Sequence, residues 1–125
     1  MTSVTVYPSC LSGCVPGISS KSYLHRLLIC AALSGEAAEI AFRGLSADVQ
    51  ASISAVAALG CAVTVAEDKL LLRPAPRTAA IHVGESGSTF RFILPVLAAR
   101  STETTQIDGS AYLAGRPISP LYEEL

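Results

Sequence analysis

The sequence has few aromatic residues: it contains no tryptophan, four tyrosines and three phenylalanines. Its apolar residues are therefore mostly alanine, leucine, isoleucine and valine, which suits helices packed tightly against sheets. No apolar run approaches the ~20 residues that span a bilayer, so we expect no transmembrane helix. The first residues also lack a charged stretch followed by a long apolar one, which argues against a signal peptide.

Charge and cysteine patterns exclude further classes of protein. The formal net charge is −1, so we expect neither nucleic acid nor a membrane surface as a partner, and any basic chemistry must be local. The four cysteines form no Cys-x-x-Cys pair, and His25 and His82 lie far from them in sequence. This spacing fits no common zinc motif, so we predict a cytoplasmic protein with no metal site.

The pattern along the chain alternates strands and helices and predicts an α/β fold (α+β in some schemes). The predicted strands are residues 4–7, 39–42, 61–65, 70–72, 80–83 and 104–107. The predicted helices are residues 22–33, 46–60 and 90–99, and one that begins at Arg116 and Pro117. Glycine and proline between residues 13 and 17 mark a connector after the first strand.

The order of elements repeats. Arg26 and Arg91 each lie in the first turns of a leucine-rich helix, and Ile40 and Ile107 each lie in the strand that follows. The first unit is predicted as βαβαββ, and the second stops within its last visible helix. We therefore expect a fragment of a longer protein.

The first candidate anion site is Lys21, Ser22 and Arg26, at the start of the first apolar helix. A helix N-terminus presents unpaired N–H donors and a partial positive charge, to which Lys21 and Arg26 add full charges. The alternative is a solvated polar face opposite the leucines. A Walker A loop is excluded because Ser20 and Val15 stand where that motif requires glycine.

Two further candidates have the same character. The turn at residues 84–89 is rich in glycine and serine and precedes a helix, and Gly87 would let backbone N–H groups approach an anion. Glu85 is unusual in a phosphate site. Arg116 stands before Pro117, where a cation mildly opposes the helix dipole unless it faces an anion. The alternatives are an ordinary capped helix start and a surface arginine, while Asp48 is interpreted as a helix-start residue.

Taken together and in order, these motifs resemble the 5-enolpyruvylshikimate-3-phosphate synthase family. The segments that carry the resemblance are Ser-Lys-Ser-x-x-x-Arg at 20–26, Asp-Val at 48–49, Ala-Leu-Gly at 58–60, Gly-Glu-Ser-Gly-Ser-Thr-Phe-Arg at 84–91 and Gly-Arg-Pro-Ile at 115–118. Two positions depart from the family pattern. Ile18-Ser19 replaces the usual Pro-Gly, and Glu85 stands where many members have asparagine.

The resemblance implies a two-domain enzyme built from repeated βαβαββ units, with helix N-termini of both domains facing one cleft. Residues 1–12 would then be an opening strand that belongs to the other domain, and 13–20 a hinge. Residues 21–125 would form part of a substrate-binding domain, with its first unit ending near residue 83 and a truncated second unit over 84–125. The full enzyme is expected to be a monomer, whereas exposed apolar faces favour self-association of the fragment.

The family transfers the enolpyruvyl group of phosphoenolpyruvate to the 5-hydroxyl of shikimate 3-phosphate, releases phosphate and uses no cofactor. The resemblance assigns Lys21 to both substrates, Ser22 and Arg26 to shikimate 3-phosphate, and Gly87 and Arg116 to phosphoenolpyruvate. It assigns no catalytic acid or base to this chain, because the family's proton-transfer residues come from later sequence. We therefore expect the fragment, which lacks the remainder of its chain, to be inactive. The alternative is a non-catalytic phosphate-binding or other anion-binding module of the same fold.

Overall fold

The computed structural model describes residues 3–100, 102 and 104–117. Residues 3–20 contain no helix or strand, and the regular elements begin at Lys21. In chain order they are α1 (Lys21–Ser34), β1 (Ala38–Ala41), α2 (Ala47–Ala55), a 3₁₀ helix (Val56–Leu59), β2 (Cys61–Val65), β3 (Lys69–Pro74), β4 (Ala80–Gly84), α3 (Gly87–Arg100), β5 (Gln106–Gly109) and α4 (Ala111–Ala114).

The ends of α1 and α2 follow from local sequence. Ser20 caps α1 by accepting a hydrogen bond from the N–H of Tyr23, and Ser46 caps α2 in the same way. Gly35 ends α1 with φ 71°, a left-handed conformation that costs glycine little. The 3₁₀ helix that continues α2 ends at Gly60, which has φ 84°. The predicted helices 22–33 and 46–60 are thus confirmed.

Two small sheets hold the strands. In the first, β3 is central and pairs antiparallel with both β1 and β2. The second sheet consists of β4 and β5, which run parallel and are joined through α3. A parallel pair needs such a crossover, because its strands must enter the sheet from the same end. The mixed α/β class predicted from the pattern is confirmed.

The core lies between the two sheets. Helices α1, α2 and α3 contact one another, α1 also packs on β1 and β3, and α2 and α3 pack on β4. The largest fully buried apolar side chains come from both sheets and all three helices: Leu28, Val49, Val56, Leu70, Leu72, Val83 and Ile93. This shared core fixes the relative positions of the three helix N-termini, on which the candidate site depends.

The prediction of a strand at residues 4–7 is wrong for this structure. Val4, Val6 and Tyr7 are exposed, and the segment pairs with no strand in the described part of the chain. Alternating side chains favour a strand only when a neighbouring strand accepts its hydrogen bonds and a core covers one face. Whether this segment belongs to another domain stays a prediction.

Three predicted boundaries in the second half of the chain are also corrected. Helix α3 begins at Gly87 rather than Phe90, because Ser86 accepts from the N–H of Thr89 and caps the helix. Strand β5 begins at Gln106 rather than residue 104, in register with β4. The predicted loop after Gly109 contains α4, capped by Ser110. Arg116 follows the end of α4, and the helix predicted from it falls mostly outside the described residues.

The strands on either side of the unit boundary predicted near residue 83 belong to one sheet. Strand β4, which the prediction assigned to the first unit, pairs with β5 and contacts α3. The segment from β4 to β5 is therefore one βαβ motif, while β1, β2 and β3 form their own sheet. No helix in the described part of the chain is both long and apolar enough to cross a membrane.

Candidate functional site

A cavity of about 540 Å³ lies at the N-termini of α1, α2 and α3. The residues that line it come from all three helices, from the turn before α3 and from the segment after α4. They are Lys21, Asp48, Glu85, Gly87, Ser88, Arg91, Phe92 and Arg116. Three of the predicted site residues, Lys21, Gly87 and Arg116, are therefore brought together, although the sequence separates them widely.

Lys21 and Asp48 form an ion pair between the N-terminus of α1 and the N-terminus of α2. Lys21 Nζ lies 2.6 Å from Asp48 Oδ2, and both side chains are partly exposed. The hydrogen bond from Lys21 lowers the pKa of Asp48, burial opposes this shift, and Ser86 adds a second hydrogen bond that lowers the pKa. Lys21 has three N–H donors, so it can keep Asp48 and still donate to a bound anion.

Gly87 is packed beneath two guanidinium groups. A Cβ built at this position would lie 2.8 Å from Arg91 Nη1 and 3.0 Å from Arg116 Nη1. The constraint at Gly87 is therefore steric and does not come from its backbone conformation. Arg91 is fixed by hydrogen bonds to the carbonyl oxygens of Gly87 (3.3 Å) and Pro117 (2.9 Å), which ties the segment after α4 to the start of α3.

Ser22 and Arg26 differ in their relation to the cavity. The Arg26 guanidinium lies 5.8 Å from the centroid of the Phe92 ring, which forms part of the cavity wall, although Arg26 itself is not among the lining residues. Ser22 is exposed on α1 and is not among the lining residues. Neither residue therefore lines the cavity, but Arg26 contacts a residue that does.

A buried polar cluster, which the sequence pattern did not predict, lies next to the cavity. His25 Nδ1 lies 2.6 Å from Ser52 Oγ, and Ser52 Oγ lies 2.8 Å from Thr89 Oγ1. Thr89 Oγ1 also lies 2.8 Å from Ser86 Oγ and donates to the carbonyl oxygen of Asp48 at 3.1 Å. Polar residues on the apolar face of a predicted helix were the available signal, since His25 lies one turn before Leu28 and Ser52 lies one turn after Val49.

Asp48 does more than begin a helix. It lies in the first turn of α2, as interpreted, but its side chain also lines the cavity and holds Lys21. Glu85 lines the same cavity, so two carboxylates and three cations face it. In the described part of the chain, no group of three or more histidine, cysteine, aspartate or glutamate side chains is placed to hold a metal ion.

Comparisons with known proteins point to one enzyme family. The model of the EPSP synthase (3-phosphoshikimate 1-carboxyvinyltransferase) family matches residues 7–125. Among curated proteins, the 3-phosphoshikimate 1-carboxyvinyltransferase of Methanococcoides burtonii is 39% identical over 98% of this chain and 29% of its own length. The enzyme of the same name from Clostridium perfringens strain SM101 is 34% identical over 98% of this chain and 30% of its own length.

A third relative extends the comparison. The 3-phosphoshikimate 1-carboxyvinyltransferase of Methanocorpusculum labreanum is 34% identical over 92% of this chain and 28% of its own length. The chain thus spans less than a third of the length of these relatives. The family match covers nearly the whole chain and includes every residue of the cavity. The chain therefore belongs to the EPSP synthase family.

Proposed function

We propose that this chain forms one wall of the active site of a 3-phosphoshikimate 1-carboxyvinyltransferase. The reaction would transfer the enolpyruvyl group of phosphoenolpyruvate to the 5-hydroxyl of shikimate 3-phosphate and release phosphate. The observation that carries this proposal is that Lys21, Gly87 and Arg116 line one cavity at three helix N-termini. Each substrate carries phosphate or carboxylate groups, which such helix ends favour.

The proposed roles of the side chains follow the family resemblance. Lys21 would contact both substrates, because its ammonium group stands between the starts of α1 and α2. Arg116 would bind phosphoenolpyruvate above Gly87, where the missing side chain leaves room for its guanidinium group. Arg26 and Ser22 would bind shikimate 3-phosphate. The contact of Arg26 with Phe92 in the cavity wall supports its role, whereas Ser22 would have to meet the substrate outside this cavity.

The small excess of positive charge in the cavity supports a site that needs further cationic residues, from outside this chain, to bind both substrates. Three cations and two carboxylates line it, and Arg91 is already bound to two carbonyl oxygens. Two substrates with several negative charges between them need more compensation than this wall offers. In the family, that compensation and the proton-transfer groups would come from sequence beyond these residues.

The first prediction is that this chain alone does not catalyse the reaction. With phosphoenolpyruvate and shikimate 3-phosphate together, we expect no phosphate release above background, because one wall cannot orient both substrates or move the protons. A continuous phosphate-release assay with each substrate alone and with both checks this. Release that requires both substrates would contradict the expected inactivity and would place the acid and base within this chain.

A matched pair of lysine variants tests whether the cavity binds anions. Lys21 and Lys69 each form a 2.6 Å pair with a carboxylate, and their exposed fractions are similar, at 47% and 44%. Only Lys21 lines the cavity. We expect Lys21→Ala to weaken phosphate binding about tenfold, as one charge-assisted hydrogen bond is worth ~1.5–3 kcal/mol, and Lys69→Ala to leave binding unchanged.

Titration with inorganic phosphate, followed by calorimetry or NMR, provides the measurement. Equal weakening by both variants would reflect overall charge and would contradict a specific site. Phosphate binding that depends on Lys21, without any competition from phosphoenolpyruvate, would favour the non-catalytic anion-binding module instead.

A further inference from the structure

His25, Ser52 and Thr89 form a continuous hydrogen-bonded chain through the buried junction of α1, α2 and α3. His25 is fully buried, and the other two side chains are 1% exposed. The chain ends at the carbonyl oxygen of Asp48, whose side chain holds Lys21 in the cavity. None of these three buried residues is among those assigned to substrate.

The contacts determine which atom donates at each step. The Asp48 carbonyl oxygen can only accept, and Ser86, whose proton is donated to the Asp48 carboxylate, also accepts from Thr89, so the single hydroxyl proton of Thr89 is shared between these two acceptors. The contact between Ser52 and Thr89 then requires Ser52 to donate. With its proton used, Ser52 Oγ can only accept from His25, so Nδ1 must carry a proton.

The other ring nitrogen of His25 supports the same assignment. Nε2 is buried and has no hydrogen-bond partner in the described part of the chain. A buried N–H donor without an acceptor is rarer in proteins than a buried acceptor without a donor, which favours a bare Nε2. Burial lowers the pKa of His25; the charge of Asp48 opposes the shift, and Lys21 adds to it. The imidazole is therefore neutral near pH 7.

We propose that His25 is a positioning residue for the anion-binding cavity: as the neutral Nδ1–H tautomer, it aligns the hydroxyls of Ser52 and Thr89, and Thr89 fixes the first turn of α2. Asp48 is then held where it can keep Lys21 at the mouth of the cavity. This inference rests on the proposed function, since it gives His25 a role only if the cavity binds substrate anions.

The tautomer is tested directly in the wild-type chain. The nitrogen chemical shifts of an imidazole distinguish Nδ1–H from Nε2–H, and the chain has only two histidines. His82 is 82% exposed and serves as the internal reference. We expect the His25 signals of a single Nδ1–H form at pH 7. An Nε2–H form, or a mixture of the two, would overturn the proposed direction of the hydrogen bonds.

Two variants of His25 test the positioning role. His25→Asn can keep an N–H donor toward Ser52, whereas His25→Leu has none and leaves Ser52 without its donor. We expect His25→Leu to weaken inorganic phosphate binding about tenfold and His25→Asn to restore most of it. Unchanged phosphate affinity in His25→Leu would overturn the positioning role even if the tautomer is as expected.

The pH dependence of stability provides a second readout. The unfolded chain takes up a proton on His25 below its ordinary pKa of 6.5, while the folded state resists it. The unfolding equilibrium constant should therefore rise by up to about tenfold per pH unit as the pH falls below 6.5, relative to His25→Asn. Parallel pH profiles for the two proteins would contradict a neutral buried imidazole.

The outcomes separate this inference from the proposed function. A wild-type chain that shows the Nδ1–H tautomer but binds neither phosphate nor phosphoenolpyruvate would overturn the proposed function and, with it, the role of His25. Should His25→Leu fail to fold, Ser52→Ala breaks the same hydrogen-bonded chain at its next member. Unchanged phosphate affinity in Ser52→Ala would then overturn the positioning role.

Discussion

Replacing Gly87 with alanine should weaken phosphate binding by at least about tenfold, while the chain stays folded. The new methyl carbon would lie 2.8 Å from Arg91 Nη1 and 3.0 Å from Arg116 Nη1, closer than carbon and nitrogen approach. The guanidinium groups are the far ends of flexible side chains, so they would move aside rather than unfold the protein. Their displacement removes the donors above Gly87 that an anion needs.

A second glycine provides the matched control. A methyl group added at Gly17 would meet no atom within 4 Å, so Gly17→Ala should leave phosphate affinity unchanged. Calorimetric titration of both variants, with circular dichroism to confirm folding, gives the comparison. Wild-type affinity in Gly87→Ala would show that Arg91 and Arg116 do not bind the anion at this place.

Replacing Thr89 with valine should lower the free energy of unfolding by about 2–4 kcal/mol, because the substitution keeps the shape but removes the central hydroxyl. Ser52, Ser86 and the Asp48 carbonyl oxygen each lose a contact to Thr89 Oγ1, and both serine side chains are buried. Leaving buried polar groups unpaired costs more than the net value of the bonds themselves.

The control for Thr89 lies on the surface. Thr64 is exposed on β2, so Thr64→Val should change the free energy of unfolding by less than about 0.5 kcal/mol. Thr89→Ser keeps the hydroxyl and should recover most of the loss. Urea denaturation of the three variants measures these differences. Equal stability of Thr89→Val and the wild type would mean that the buried hydroxyl contacts do not hold the helices together.

Local chemistry made much of the fold predictable. Serine before α1 and α2 and glycine after α1 and the 3₁₀ helix act through neighbours within four residues, so their effects are visible in the sequence. The hairpin of β2 and β3 was predictable for the same reason, because its turn at residues 66–68 is short.

The features that the sequence did not predict depend on strand pairing between distant residues or on very short elements. The strand pattern at residues 4–7 has no partner in the described part of the chain, and the start of β5 depends on its register with β4. The helix α4 is a single turn of four residues, too short to give a periodic signal, although Ser110 is an ordinary cap. Each of these outcomes depends on residues distant in sequence or on too few residues to show a pattern.

In the candidate site, too, some residues were predictable from local motifs and others only from contacts between helices. The family motifs pointed to Lys21, Gly87 and Arg116 without showing that these residues converge. Asp48 and Thr89 could be assigned only from contacts between different helices, with Lys21 and Asp48 separated by 27 residues and Ser52 and Thr89 by 37. Sequence spacing predicts neighbours on one helix but not which helices meet.

Mapping inorganic phosphate onto the backbone amides by NMR tests the convergence of the three helix ends most directly. We expect the largest chemical-shift changes, saturating together, at Lys21, Asp48, Gly87, Ser88 and Arg116. Amides of β2 and β3, which contribute no residue to the cavity, should remain unchanged. Shifts that are scattered over the surface, or that cluster at the arginines outside the cavity such as Arg73 and Arg77, would contradict a shared anion pocket.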